Sequence, residues 1–248
     1  MQRRIIERMQ FEREKLRIES ATGLKKAPSA YGRQFTGLKE SDFSRDVTGT
    51  SWRRRESLGG AVTSRLKPDK GSIESWSIYR TAMVQWAYVD HRDPETNYLQ
   101  AKFFAQLDEK YLRYGLYIER SNRPEDAKYD WNAFISWIRD DKDHSWLIET
   151  AHRNGLSVYD MKNEGPFDGM IVPDIGKWRL VDRACEGVIV SLADFLDDLG
   201  ADVWVDLYIA KNVDKDEAIA HGIKIAEDIS RLFEILMPLY EACCRYVR

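Results

Sequence analysis

The sequence predicts an α+β fold: a mostly antiparallel sheet covered by helices, preceded by a charged helical arm. Three observations predict it. Residues 99–121 read as two strands joined by a short charged turn. Residues 76–90 supply a further aromatic and β-branched run. The stretch after Asp214 carries an amphipathic helix that needs a surface to cover.

The hairpin organises the rest. Phe103, Ala105 and Leu107 alternate with Lys102, Phe104 and Gln106. After Asp108, Glu109 and Lys110 the pattern resumes in Tyr111, Leu112, Tyr114, Leu116, Tyr117 and Ile118. Such residues fit a pleated, half-buried surface. Gly115 inside the second run marks a bulge or a close backbone approach. A lone hairpin is marginal in water, so the 76–90 run is expected as an adjacent strand.

The flanking elements follow in order. Residues 1–20 read as a charged helix, in which Ile5, Ile6, Met9, Leu16 and Ile18 make only a thin apolar stripe. It suits a coiled-coil arm, a partner-binding helix or the tail of a preceding domain. Residues 21–34 carry Gly, Pro, Ser and Lys in the manner of a linker. The division expected is therefore an arm and linker over 1–30 and one α+β domain over 31–248. Ser41 and Asp42 mark the start of a short helix at Phe43. A second helix is expected after Thr50, with Trp52, Leu58, Val62 and Leu66 at helical spacing, although Gly59 and Gly60 weaken it.

Residues 126–140 form a helix on the spacing of Trp131, Phe134, Ile135 and Ile138. Asp143 is the expected cap of the next helix, which Gly155 should end. Leu156, Val158 and Tyr159 suggest a strand, as do 170–172, 177–181 and 203–209. Ser191 caps a helix that Gly200 stops. From Asp214, with Glu217 three residues on, a capping-box pattern opens the last helix. Its face is Ile219, Ile223, Ala226, Ile229, Phe233 and Leu236. Pro238 should end or kink it.

Composition narrows the function classes. The chain has 248 residues, 43% hydrophobic and 32% charged, which suits a soluble globular protein. No apolar run approaches the roughly 18 residues of a membrane span, and the N-terminal stretch lacks the apolar core of a secretory signal. Only Cys185, Cys243 and Cys244 occur, without metal-ligand spacing, so no zinc site or other cofactor is expected, and the cytoplasm is the expected compartment. Cys243 and Cys244 read as buried core residues. The net charge of −3 hides an asymmetry: residues 1–70 hold 17 Lys and Arg against 9 Asp and Glu. That segment either meets an anionic partner or packs on the acidic remainder of its own chain.

Motifs that carry chemistry are missing. There is no P-loop, no GxGxxG after a strand, no GxSxG and no HExxH. His91, His144, His152 and His221 are far apart in sequence, although His144 and His152 could share a helical face. Asp108, Glu109 and Lys110 are adjacent, so in a strand they would alternate between faces. Asp168, Asp174 and Lys177 make a loose set around a loop, the basis of an enzyme reading. The nucleic-acid candidates are Trp52, Arg53, Arg54, Arg55 and Arg65. Cations at a helix start oppose the helix dipole, so these arginines need another reason. Phosphate contact through the planar guanidinium is one, and a solvated face paired with Glu56 is the other.

Two stretches resemble known families. FTGLKESDF, residues 35–43, followed by WRRRESLGG, residues 52–60, is similar to the opening of small bacterial domains built as a sheet with flanking helices. Residues 206–240 resemble accessory DNA-sensing parts of McrBC-type restriction systems. In that family DNA recognition is separate from the GTPase motor and the nuclease, and this sequence has no Walker A motif. The resemblance implies a non-catalytic DNA-interacting module of a prokaryotic defence system. The alternatives are a protein–protein scaffold docking through residues 1–20, and an enzyme using carboxylates of the 160–182 region.

Overall fold

The computed structural model describes residues 35–44, 51–78, 81–92, 99–123, 125–126, 128–160, 169–182, 186–189 and 191–244. The helix and linker expected over residues 1–34 lie outside them, as do Asp168 and Cys185.

Among the described residues nine strands form one antiparallel sheet. They are β1 (Ile73–Ser77), β2 (Met83–Tyr88), β3 (Lys102–Leu107), β4 (Tyr111–Arg120), β5 (Leu156–Asp160), β6 (Gly169–Asp174), β7 (Lys177–Asp182), β8 (Glu186–Ile189) and β9 (Val205–Asp214). Their order is β1-β2-β3-β4-β9-β5-β6-β7-β8. The α+β expectation holds, and the 102–120 hairpin lies near the middle of the sheet. Its turn is the charged one: Asp108 Oδ1 accepts from the backbone N–H of Lys110 at 2.7 Å and of Tyr111 at 2.8 Å. Burial alone would raise the Asp108 pKa, but those two donors and Arg113 outweigh it and hold the carboxyl below its ordinary range.

Gly115 is where β4 and β9 come together. A Cβ there would lie 2.1 Å from the Ile209 carbonyl oxygen, so only glycine fits.

The run over 76–90 is two strands rather than one. Fifteen extended residues would span about 50 Å, far beyond the six-residue β3 beside it. The chain instead folds back, and the Ile78 N–H donates to the Met83 carbonyl at 3.0 Å. β8 is a strand that the sequence pattern did not reveal, since Glu186–Ile189 is only four residues long.

Six helices accompany the sheet among the described residues: α1 (Gly60–Thr63), α2 (Tyr129–Ile138), α3 (Asp141–Asn154), α4 (Leu192–Asp197), α5 (Lys215–Ala220) and α6 (Ile225–Cys243). The helix expected after Thr50 shrinks to a π-helical turn, Arg55–Gly59, leading into α1. Ser57 has non-helical dihedrals within that turn, and the glycine pair gives little helical preference to resist the break. The helix expected to begin at Phe43 is a 3₁₀ turn, Glu40–Asp42, that ends there. The cap of α3 is Asp140, not Asp143, because its carboxylate accepts from the N–H groups of Lys142 and Asp143. Gly155 ends α3 in the left-handed region at φ +65°, as expected. Ser191 caps α4 by accepting from Asp194 N–H.

The long helix expected from Asp214 is divided. Gly222, at φ +56°, opens a 3₁₀ turn, Gly222–Lys224, between α5 and α6. Asp214 makes no side-chain cap bond. Pro238 lies inside α6, which runs on to Cys243. Leu239, Tyr240 and Cys243 beyond it are buried in the core, and that burial outweighs one lost backbone bond.

The main core lies between the sheet and the helices. α6 covers its centre: Phe233 stacks on Phe103 with ring centroids 4.5 Å apart and meets Trp86 edge-on at 5.2 Å. Cys243 and Cys244 are buried, as the sequence indicated. A second cluster, Met83, Phe104, Tyr117, Tyr159, Tyr208 and Ala210, lies on strand residues of opposite alternation and contains no helical side chain. No helix among the described residues is long and apolar enough to cross a membrane.

Candidate nucleic-acid interface

The five residues singled out from the sequence separate into distinct roles. Trp52 is only 2% exposed and belongs to the main core. Its backbone carbonyl accepts from Leu58 N–H at 3.2 Å, which ties the chain at Trp52 to the π-helical turn. In this conformation its face offers no stacking surface for a base. Arg53 is half-buried, and its Nη1 donates to the carbonyls of Ile78 and Thr81, both at 2.9 Å. It fastens the turn between β1 and β2, and burial lowers its pKa.

Arg54 and Arg65 are exposed at the two ends of the π-turn and α1. Arg65 Nη1 donates to the Ala61 carbonyl one turn back at 2.5 Å. The side chain of Arg55 lies outside the described set. Lys67 and Lys70 are also exposed, and Lys70 pairs with Glu241 at 3.2 Å. Residues 51–70 thus hold six Lys and Arg against Glu56 and Asp69. Exposed guanidinium and ammonium groups are able to exchange water for phosphate oxygens.

An arginine–tryptophan contact exists elsewhere. The Arg92 guanidinium lies 4.5 Å from the centroid of the Trp76 ring, and both side chains are half-buried. Arg53 fastens the turn that begins two residues after Trp76. No sequence signal joined these residues, because the contact runs between β1 and the turn beyond β2.

The sheet face of the second cluster, opposite the helix-covered core, carries a polar network among its aromatic rings. Tyr117 donates its hydroxyl to Glu119 and lies 3.1 Å from Asp206 Oδ1, which also accepts from Trp204 Nε1 at 3.1 Å. Lys102 Nζ lies 5.0 Å from the centroid of the Tyr117 ring. Burial, and then the Glu119 and Asp206 carboxylates, push the Tyr117 phenol well above its ordinary range. The same causes, led again by burial, act on Tyr208. Both phenols therefore stay neutral at physiological pH, and the bonds that Tyr117 donates order this sheet face.

Among the described residues the carboxylates considered for catalysis are not drawn together. Asp174 and Lys177 face each other across the two-residue β6–β7 turn, and Asp174 Oδ1 accepts from Ile175 N–H within that exposed turn. Among the described residues no three His, Cys, Asp or Glu side chains are grouped to hold a metal ion. His144 and His152 do not act together: His144 accepts from Trp178, whereas His152 is exposed. An open depression of about 530 Å³ is lined by Ala220, His221, Lys224, Glu227, Asp228 and Arg231. Four of its side chains pair among themselves, His221 Nδ1 with Asp228 at 2.7 Å and Arg231 with Glu227 at 3.0 Å.

These features define a class: an α+β protein with a nine-stranded antiparallel sheet, helices over one face, and a basic segment beside the β1 end. No family model matches the chain, and neither a curated protein nor a solved structure matches it.

Proposed function

We propose that this protein is a non-catalytic DNA-interacting module, contacting phosphates through the exposed cations of residues 51–70. The observation that carries the reading is the solvent exposure of Arg54, Arg65 and Lys67 on a segment where basic residues outnumber acids six to two. Its placement in a prokaryotic restriction-type defence system rests on the likeness of residues 206–240 to DNA-sensing parts of such systems.

Phosphate contacts release counterions, so affinity falls steeply with salt. Fluorescence anisotropy with plain duplex, cytosine-methylated duplex and single-stranded DNA, at low and physiological salt, measures this. The expected result is salt-sensitive binding that Arg54→Glu with Arg65→Glu weakens by at least about tenfold. Arg53 is left intact because it fastens the β1–β2 turn. No binding at low salt, or binding indifferent to the double change, overturns the proposal.

A further inference from the structure

Trp178 lies on β7 with its side chain fully buried, 0% exposed. It stands in register with Pro173 on β6 and Ile189 on β8, at the middle of the three-stranded ribbon that closes one end of the sheet. That ribbon is held well internally, with six register pairs between β6 and β7. Among the described residues it joins the rest of the sheet at β5, where β5 and β6 lie side by side and share the register pair Val158–Ile171. On its other side β5 shares five pairs with β9. The ribbon is held through β6, which lies beside β5 and packs against α3, and through the bond from Trp178 to His144 on α3.

The Trp178 indole N–H donates to Nε2 of His144 at 3.0 Å. An indole nitrogen is a donor only, so the bond exists only while His144 Nε2 carries no proton. Protonation would set two N–H groups against each other at this spot. His144 stands in the first turn of α3, where the helix dipole also opposes a positive charge.

The surrounding charges leave that logic intact. On α3 itself Asp140 is occupied as the helix cap, and Asp141 is the carboxylate that favours the charged imidazole. Burial outweighs it and holds the His144 pKa below its ordinary value. On α2, Asp130 is bonded to His91 and to Ala101 N–H. On β5, Asp160 accepts from Asp206 N–H. Asp174 on β6, and Lys177 and Arg179 on β7, alternate onto the sheet face opposite Trp178.

We propose that His144 and Trp178 form a pH-operated latch, closed while the imidazole is neutral and opened by its protonation, which releases the β6–β7–β8 ribbon from α3. The buried faces of Ile171, Trp178 and Ile189 are what the opened ribbon would present.

Hydrogen exchange followed by mass spectrometry on the full chain tests this, at about pH 7.5 and about pH 5.5 after correction for intrinsic rates. The comparison is with His144→Gln, whose amide oxygen can accept the indole N–H without titrating. In the wild type, peptides covering 177–189 should exchange on the order of tenfold faster at the lower pH, while the β4–β9 ladder stays protected. In His144→Gln the 177–189 region should show no such change. Unchanged protection in the wild type, or an equal loss in the variant, overturns the latch. Should the variant fail to fold, NMR titration of the wild type decides. The His144 ring and Trp178 indole signals should share one midpoint, and separate midpoints overturn the proposal.

Discussion

His91 and Asp130 meet inside the core, Nε2 to Oδ2 at 2.8 Å, with side-chain exposures of 1% and 5%. The same Asp130 oxygen accepts from Ala101 N–H at 2.6 Å, and the His91 ring stands edge-on to that of Tyr240 on α6, with centroids 6.2 Å apart. One carboxylate thus ties together the turn after β2, the start of β3 and the first turn of α2.

Removing that carboxylate strands two buried partners, the imidazole and the Ala101 N–H. Asp130→Ala should therefore cost about 3–5 kcal/mol, read as a lowered urea midpoint with an unchanged m-value.

Arg53 and Arg54 are neighbours with opposite assignments. Arg53→Ala removes two hydrogen bonds to backbone carbonyls at the β1–β2 turn and should cost about 1–3 kcal/mol. Arg54→Ala, at an exposed site, should stay within about 0.5 kcal/mol. Chemical denaturation of the two variants side by side checks this, and equal losses would contradict the assignment of Arg53 to the turn.

Gly115→Ala should be among the most damaging small substitutions. The added methyl would meet the Ile209 carbonyl oxygen and the Ala210 Cα, both backbone atoms of β9 that cannot turn aside. A loss of about 3 kcal/mol or more is expected. Gly187→Ala is the control, since nothing lies within 4 Å of its added carbon. Thermal unfolding of both proteins supplies the comparison.

Alkaline pH should unfold this protein through its phenols. Burial first, and nearby carboxylates second, raise Tyr117 and Tyr208, and burial leads the raised values of Tyr114 and Tyr159. A phenol raised in the folded state stabilises it fully below the unfolded value of about 10, and that contribution is lost as pH climbs from there through the folded value. Absorbance at about 295 nm should show these tyrosines ionising together with the loss of secondary structure. Their ionisation in a still-folded chain would contradict the burial.

Much of the fold was legible because it follows from short-range periodicity. Alternation over 102–120 placed β3, the Asp108 turn and β4, and Gly155 and Ser191 marked real helix boundaries, whereas α4 ends at Asp197, short of Gly200. The candidate site was less legible. Proximity of Trp52 to three arginines in sequence says nothing about which side chains turn inward. The structure buries Trp52, commits Arg53 to the β1–β2 turn and leaves Arg54 and Arg65 in solvent.

By itself the sequence determined the α+β class, the central hairpin, the helix caps at Ser191 and Gly155, and the burial of Cys243 and Cys244, because each depends on residues within a few positions of one another. Only the tertiary structure decided that residues 76–90 fold back, that α6 continues past Pro238, and that His91 meets Asp130 and His144 meets Trp178. Those outcomes rest on burial and pairing between segments distant in the chain, and long-range contacts of that kind leave no periodic trace in the sequence.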